Sequence, residues 1–342
     1  MRVGIVGVTG YTGEELLRIL GHHPHVQLAY LAASSKWGRP TPVSEVYPRY
    51  RGQLDLPVEA FDSSQCSQRC DAVFLALPHG TAMEAVPSLL AAGKKVIDLS
   101  GDFRLHDPAA YPAWYKFSHT HPKLLTSGTA VYGLTEFYKP QIAKASLVSN
   151  PGCYATSVLL AVLPLAKANL LDGGRFIVDA KSGLSGAGRK ADQTLLYAEM
   201  TENLRAYKVN DHQHMPEIAQ AIREVAGAEA RLVFVPQMIP ATRGLISMVY
   251  VSASASLEKI QAAFAAAYPR GAAPFVRVRP GGFPQLTDVV QTNFCDIGFA
   301  YDASTQTIII GSALDNLVKG AAGQAVQNLN VMHGWPETTG LL

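Results

Sequence analysis

Arg2-Val3-Gly4-Ile5-Val6-Gly7-Val8-Thr9-Gly10-Tyr11-Thr12-Gly13-Glu14-Glu15-Leu16-Leu17-Arg18-Ile19-Leu20 reads as a short buried strand, a glycine turn and a helix. In such a unit the glycines let the backbone approach a pyrophosphate, and the helix N-terminus offers N–H groups and positive potential to the anion. Gly7, Thr9, Gly10, Tyr11, Thr12 and Gly13 are therefore candidate cofactor contacts. The turn departs from G-x-G-x-x-G, with Thr9 where the second glycine would stand and Gly10 one place later. A tight turn without a ligand is the competing reading.

Working outward, a second strand over 26–32 ends in Ala33-Ser34-Ser35-Lys36, with no Asp or Glu where one would bind a ribose 2′-hydroxyl. Ser34, Ser35 and Lys36 suit a 2′-phosphate better, which favours NADP(H) over NAD(H); a solvated polar loop has the same composition. Apolar strands over 72–77 and 95–99, separated by a helix over 81–92, argue for a parallel sheet covered by helices. Pro78-His79-Gly80 and Ser100-Gly101-Asp102-Phe103-Arg104 follow these strands, at the carboxyl edge where open α/β sheets bind ligands. Pro78 and Ser100 are candidate cofactor contacts. Arg104 has the forked cation that holds an anionic substrate group, or serves equally in a surface ion pair.

Ser149-Asn150-Pro151-Gly152-Cys153-Tyr154-Ala155-Thr156 sets a cysteine on a turn before an apolar helical run over 157–167. The positive end of a helix favours a thiolate, so Cys153 is a candidate nucleophile, against the alternative of a buried structural thiol. Asp211-His212-Gln213-His214-Met215-Pro216-Glu217-Ile218 brings two histidines and a carboxylate together before a helix over 219–225. Histidine titrates near neutral pH, and a distant His beside a Cys is the pairing that nucleophilic catalysis needs. Cys66, Cys70 and Cys295 make no recognised zinc spacing with these histidines, so no metal is expected.

Beyond the cysteine helix, strands near 176–181, 232–237, 245–252, 294–301 and 305–311 with longer loops suggest an α+β domain with a mixed sheet. The glycine-rich loop 182–190 has the flexibility, hydroxyls and cations expected around a small anion, or of a mobile lid. A helix over 314–331 is expected to pack back on the first domain. The resulting division is a dinucleotide-binding domain over 1–149, completed by 314–342, and a catalytic and substrate domain over 150–313.

At 342 residues the chain suggests two domains. Four cysteines without paired spacing suit a reducing compartment. The opening strand leaves no place for a signal peptide, and no apolar run approaches about 20 residues, so a soluble cytoplasmic protein is expected. A net charge of +2 gives no reason to expect nucleic acid.

The ordered motifs 7–13, 98–104, 149–153, 182–189, 212–218 and 314–320 together resemble the N-acetyl-gamma-glutamyl-phosphate reductase family, within the aspartate-semialdehyde-dehydrogenase-like group. The resemblance implies an α/β chain with a Rossmann-type NADP-binding domain and an α+β catalytic and dimerisation domain. It implies NADPH-dependent reduction of an acyl phosphate to a semialdehyde in arginine biosynthesis, through a Cys153 thioester, by a homo-oligomer. His214 becomes the likeliest acid/base, with His212 competing. Asn316 is implied at the cofactor, and Arg104, Asn150, Ser185, Gly186, Arg189, His212 and Glu217 at the substrate; Arg243 is a weaker choice. The family usually has Arg where this chain has Gln213, and Ala where it has Gly101, the latter expected to be minor. Two other readings fit the motifs: a reductase of a carrier-linked aminoadipyl or glutamyl phosphate, and a non-catalytic NADP sensor. A Cys/His hydrolase leaves the glycine turn unexplained.

Overall fold

The computed structural model describes the backbone of residues 1–342, and their side chains other than that of residue 280. The chain forms two compact units, Met1–Pro151 with Ala321–Leu342, and Gly152–Gly320.

In the first unit the strands are β1 (Arg2–Val6), β2 (Gln27–Ala32), β3 (Thr41–Pro42), β4 (Pro57–Glu59), β5 (Ala72–Leu75), β6 (Lys95–Asp98), β7 (Ala130–Tyr132) and β8 (Leu147–Ser149). Among the described residues they form one sheet in the order β3-β4-β2-β1-β5-β6-β8-β7, parallel throughout except between β3 and β4. The chain builds outward from β1 to one edge, then returns to add β5 on the other side. The carboxyl end of β1 is therefore the place where strand order reverses and the crevice of an open α/β sheet opens. Strand β5 is buried along its whole length, as its unbroken apolar run Ala-Val-Phe-Leu requires.

The terminal helix of this unit is Gly323–Met332, later than the 314–331 expected. Leu314 instead ends a strand of the second unit, and the Asp315 carboxylate accepts the N–H groups of Leu317 and Val318, so helical geometry begins only beyond it. Residues 314–320 consequently stay with the second unit, and the crossings fall at 151/152 and 320/321 rather than at 149/150 and 313/314. The helix buries polar side chains. Gln324 and Asn328 both donate to the Gly133 carbonyl, Asn328 also donates to Asn150 Oδ1, and Asn330 Oδ1 lies 2.9 Å from His23 Nε2. Each satisfies a loop group that burial would otherwise leave unpaired.

In the second unit the strands are β9 (Arg175–Gly183), β10 (Arg205–Ala206), β11 (Arg231–Ile239), β12 (Leu245–Ser252), β13 (Val276–Pro280), β14 (Cys295–Asp302) and β15 (Thr307–Leu314). Their order among the described residues is β10-β11-β9-β12-β15-β14-β13. Pairs β9/β11 and β13/β14 are parallel and the others antiparallel, which is the mixed sheet expected. Burial alternates along β12, so Leu245, Ser247, Val249 and Val251 face the core. The Cys153–Lys167 helix packs on this sheet and is buried from Tyr154 to Ala166, mostly apolar as a core helix is, with Thr156 and Ser157 enclosed in it. It begins at Cys153 rather than 157, because Gly152 supplies the extended N-cap and nothing after it breaks the helix.

Among the described residues, no helix is long and apolar enough to cross a membrane.

Candidate active site

The glycine turn of the first unit joins β1 to the Tyr11–Leu20 helix. Gly7 has φ +88°, and a Cβ there would stand 2.2 Å from the Ala76 carbonyl oxygen. A Cβ on Gly13 would stand 2.2 Å from the Gly7 carbonyl oxygen. The first glycine thus makes the turn and the last lets helix and strand approach, as in a dinucleotide-binding unit. Gly10 is the N-cap and has no side chain to offer the first N–H groups of the helix. These residues fit a pyrophosphate. The Tyr47 hydroxyl donates to the Val8 carbonyl from the insertion between β2 and β4, a brace that no sequence signal marked. Ser34, Ser35 and Lys36 are exposed just past β2. The acidic Glu59 pairs beside Ala32 on the neighbouring strand but is bridged by Arg69 at 2.8 Å.

The segments after β5 and β6 are hydrogen-bonded to each other. Gly101 N–H donates to His79 Nδ1, while Asp102 accepts from the N–H groups of Gly80 and Met83. Pro78 is exposed at this edge. Ser100 is not: its hydroxyl donates to Asp98 and accepts from the Asp102 N–H, so it is enclosed rather than presented to a cofactor. Asp98 is fully buried, and burial, followed by the neighbouring Asp102 charge, pushes its carboxyl up to about 7. Arg104, expected to hold an anionic group, is placed among backbone carbonyls. It is 4% exposed and donates to the carbonyls of Asn150 and Leu99, bracing the chain after β6 and β8. Asn150 is likewise buried, bonded to the Ala321 carbonyl and to Asn328, instead of free for substrate. Gly101, expected to be a minor departure, lies against Tyr115. A methyl there would stand 2.0 Å from the Tyr115 ring, so Tyr115 occupies the space a larger residue would need.

In the second unit Cys153 is the first residue of its helix. Of the four free cysteines it is the partly exposed one, while Cys66, Cys70 and Cys295 are buried. Two glycines flank it. A Cβ on Gly152 would stand 2.1 Å from His214 Nε2, and one on Gly320 would stand 2.7 Å from the Cys153 Cβ. Only a bare backbone at residue 152 admits the imidazole this close to the thiol-bearing residue. His214 opens the His214–Ala226 helix, and Glu217, one turn on, accepts the Gly152 N–H at 2.8 Å. His212 is used differently. Its Nδ1 accepts the His214 N–H at 3.2 Å, and its ring is boxed edge-on by Tyr154, Phe234 and Tyr207. The Tyr207 hydroxyl, pushed up to about 12 by burial, lies 3.4 Å from that of Tyr154. Only the aromatic character of residues 154, 207 and 234 hinted at this box, and nothing in their spacing did. Among the described residues, no group of three or more His, Cys, Asp or Glu side chains is arranged to hold a metal.

The 182–190 loop is partly built rather than wholly flexible: β9 runs to Gly183 and a short 3₁₀ turn spans Leu184–Ala187. Asn316, expected at the cofactor, donates to the Ser185 hydroxyl and accepts the Gly244 N–H. It fastens this loop, with Ser185 held by the same bond. Gly186 and Arg189 are exposed beyond it, and Arg243 reaches Asp315 at 3.5 Å.

Residues 2–145 match the semialdehyde dehydrogenase NAD binding domain, and residues 153–316 the semialdehyde dehydrogenase dimerisation domain. An N-acetyl-gamma-glutamyl-phosphate reductase from Geobacter sp. (strain M21) is 47% identical, over 100% of this chain and 98% of that protein. One from Bacillus subtilis (strain 168) is 45% identical over 100% and 98%. The chain belongs to the N-acetyl-gamma-glutamyl-phosphate reductase family. The reductase fold extends to more distant solved structures. The aspartate semialdehyde dehydrogenase II of Vibrio cholerae, complexed with ASA, superposes with a TM-score of 0.72 at 18% identity, covering 97% of this chain and 98% of that one. The Candida albicans enzyme, solved with NADP, gives 0.67 at 13% identity over 97% and 98%. At those identities the likeness is one of fold. The fold class read from the sequence is the one observed in this reductase-family chain.

Proposed function

We propose that this chain catalyses the NADPH-dependent reduction of N-acetyl-L-glutamyl 5-phosphate to N-acetyl-L-glutamate 5-semialdehyde and phosphate, in arginine biosynthesis. The observation that carries the reading is the partly exposed Cys153 at a helix N-terminus with the His214 ring on the adjoining glycine, in a chain whose relatives bear that enzyme's name over their full length. Cys153 is the nucleophile, favoured as a thiolate by the helix end. The thiolate attacks the acyl carbon of the substrate, the bond between that carbon and the bridging oxygen breaks, and phosphate leaves with the oxygen and the bonding pair. A thioester remains on Cys153. Because sulfur donates little into the carbonyl, this carbon accepts hydride more readily than an ester would. NADPH, when bound, supplies that hydride. The tetrahedral adduct then expels the Cys153 thiolate and the aldehyde departs.

His214 is the proton-transfer group, taking the thiol proton at the start and serving the tetrahedral oxygen later. His212 is set aside because its Nδ1 is occupied by the His214 N–H and its ring is enclosed. Gly186 and Arg189, at the exposed end of the 182–190 loop, are the anion contacts this reading retains. In this reading the glycine turn with Ser34, Ser35 and Lys36 holds NADP(H). The dimerisation-domain match supports a homo-oligomer; a dimer or tetramer acting in the cytoplasm is the form this reading takes.

The test is phosphate-dependent NADP reduction by N-acetylglutamate 5-semialdehyde, run beside aspartate semialdehyde and with Cys153→Ala. Turnover confined to the acetylated substrate and lost in the variant is the expected result. Turnover of neither substrate would point to a carrier-linked acyl phosphate or to an NADP sensor.

A further inference from the structure

The carboxylate of Glu217 reaches the turn bearing Cys153. It is 0% exposed, lies in the first turn of the His214–Ala226 helix, and accepts the N–H of Gly152 at 2.8 Å. His214 and Glu217 are three residues apart and so project from one helix face. Both meet the same residue: the imidazole lies over the Gly152 Cα, where a Cβ would come within 2.1 Å of Nε2, and the carboxylate holds the Gly152 nitrogen. Two contacts from one rigid helix turn onto one residue fix its place and its orientation, and Cys153 is the next residue along. Burying a carboxylate in this way is unfavourable unless strong donors compensate, and a helix N-cap N–H is such a donor. The first turn of its own helix adds a second positive end near the charge.

We propose that Glu217 is a positioning residue that locks the Cys153 turn to the His214 helix and thereby sets the thiol against the imidazole, granted that these two act as proposed above. This differs from the substrate contact that the family resemblance suggested for it. An acceptor at the right reach is what the role requires, so Gln at 217 preserves most of it. Asp keeps the charge but falls short by one methylene.

The experiment compares Glu217→Gln, Glu217→Asp and Glu217→Ala in the full-length protein by two readouts. The first is kcat and KM for the acetylated semialdehyde. Glu217→Gln should stay within about tenfold of wild-type kcat, while Asp and Ala fall about 10²-fold with KM little changed, the scale expected when reacting groups shift by about 1 Å. The second is the rate of iodoacetamide modification of Cys153 across pH, which needs no substrate and should rank the variants in the same order. Thermal midpoints and NADPH affinity near wild type exclude unfolding; if Ala unfolds, the Gln and Asp pair carries the comparison. A raised KM with kcat intact, an Asp variant better than the Gln variant, or alkylation unaffected by all three would overturn the proposal. A wild-type protein that turns over no acetylated semialdehyde would defeat the functional reading alone, leaving the alkylation ranking to decide the role of Glu217.

Discussion

Two helix N-termini in this molecule are built alike and used differently. In the first unit Gly10 is the N-cap of Tyr11–Leu20, with φ −82° and ψ 165°; in the second Gly152 is the N-cap of Cys153–Lys167, with φ −71° and ψ 152°. Both follow a short buried strand and a glycine-bearing turn. What differs is what meets the bare backbone. Around the first turn, Gly7 and Gly13 are pressed against backbone, 2.2 Å from carbonyl oxygens if a Cβ is added, so the glycines shape a cradle whose positive end faces outward. At the second, the bare Cα faces an imidazole and the N–H faces a carboxylate, at the start of a helix whose first residue is a cysteine. One local device meets its own backbone in one case and the side chains of another helix in the other. The neighbours decide which.

The largest effect that would break this comparison is loss of Cys153. Cys153→Ala should lower kcat about 10⁴-fold or more, in the range seen when a covalent nucleophile is removed, with NADPH affinity within about twofold. Fluorescence titration of NADPH beside steady-state kinetics reads both. If the variant lost NADPH binding as well, the two termini would not be doing separate jobs. A smaller and sharper test exchanges methyl groups. Gly152→Ala drives a Cβ into His214, so kcat should fall about 10²-fold with NADPH affinity kept. Gly13→Ala drives one into the Gly7 carbonyl, so NADPH affinity should fall while alkylation of Cys153 is unchanged.

The sequence carried the first terminus well because its device is local. Strand, glycines and helix lie within residues 2–20, and close backbone packing is what glycines at 7 and 13 announce. It carried the second only in part. Cys153 is marked as a candidate by the turn before it, but the residues that stand beside that turn, Gly320 and those of 212–217, are distant in sequence, and no spacing rule says which histidine lies against Gly152. That distinction rests on His212 Nδ1 being engaged by a backbone N–H, a fact of three dimensions. Arg104, Asn150, Ser100 and Asn316 show a related limit. Polar residues beside a binding edge look alike in sequence whether they face a ligand or brace the loops that do, and these four brace.

The bracing network makes its own contrast with the thiol terminus. Behind the carboxyl edge of the first unit, Asp98 is a buried acid whose carboxyl is pushed up to about 7 from its ordinary value of 3.8. A carboxyl raised on folding holds its proton more tightly in the native state. The stability it contributes is complete below pH 3.8 and is lost as pH rises to about 7. Urea unfolding of the full-length protein should therefore weaken across that window by up to about 1.4 kcal/mol per pH unit. Asp98→Asn should flatten this slope, and a variant with the wild-type slope would place the titration elsewhere.

The smallest effect concerns Gly101, in the turn joining the two loops of that edge. Because the Tyr115 ring fills the space beside it, Gly101→Ala should destabilise the protein by about 1–3 kcal/mol, the usual range for overpacking a filled site. The Gly101 N–H also donates to His79, so displacement of residue 101 reaches the loop after β5. Trimming the ring with Tyr115→Leu should restore part of the loss in a double-mutant cycle, because the two residues compete for one volume. Strict additivity would mean that the Gly101 backbone, rather than the ring beside it, sets the requirement for glycine. In that case the glycine at 101 would need a different physical cause from the one the packing supplies. The cycle leaves Cys153 alkylation untouched if the two termini are separate devices, and altered alkylation in Gly101→Ala would couple them after all.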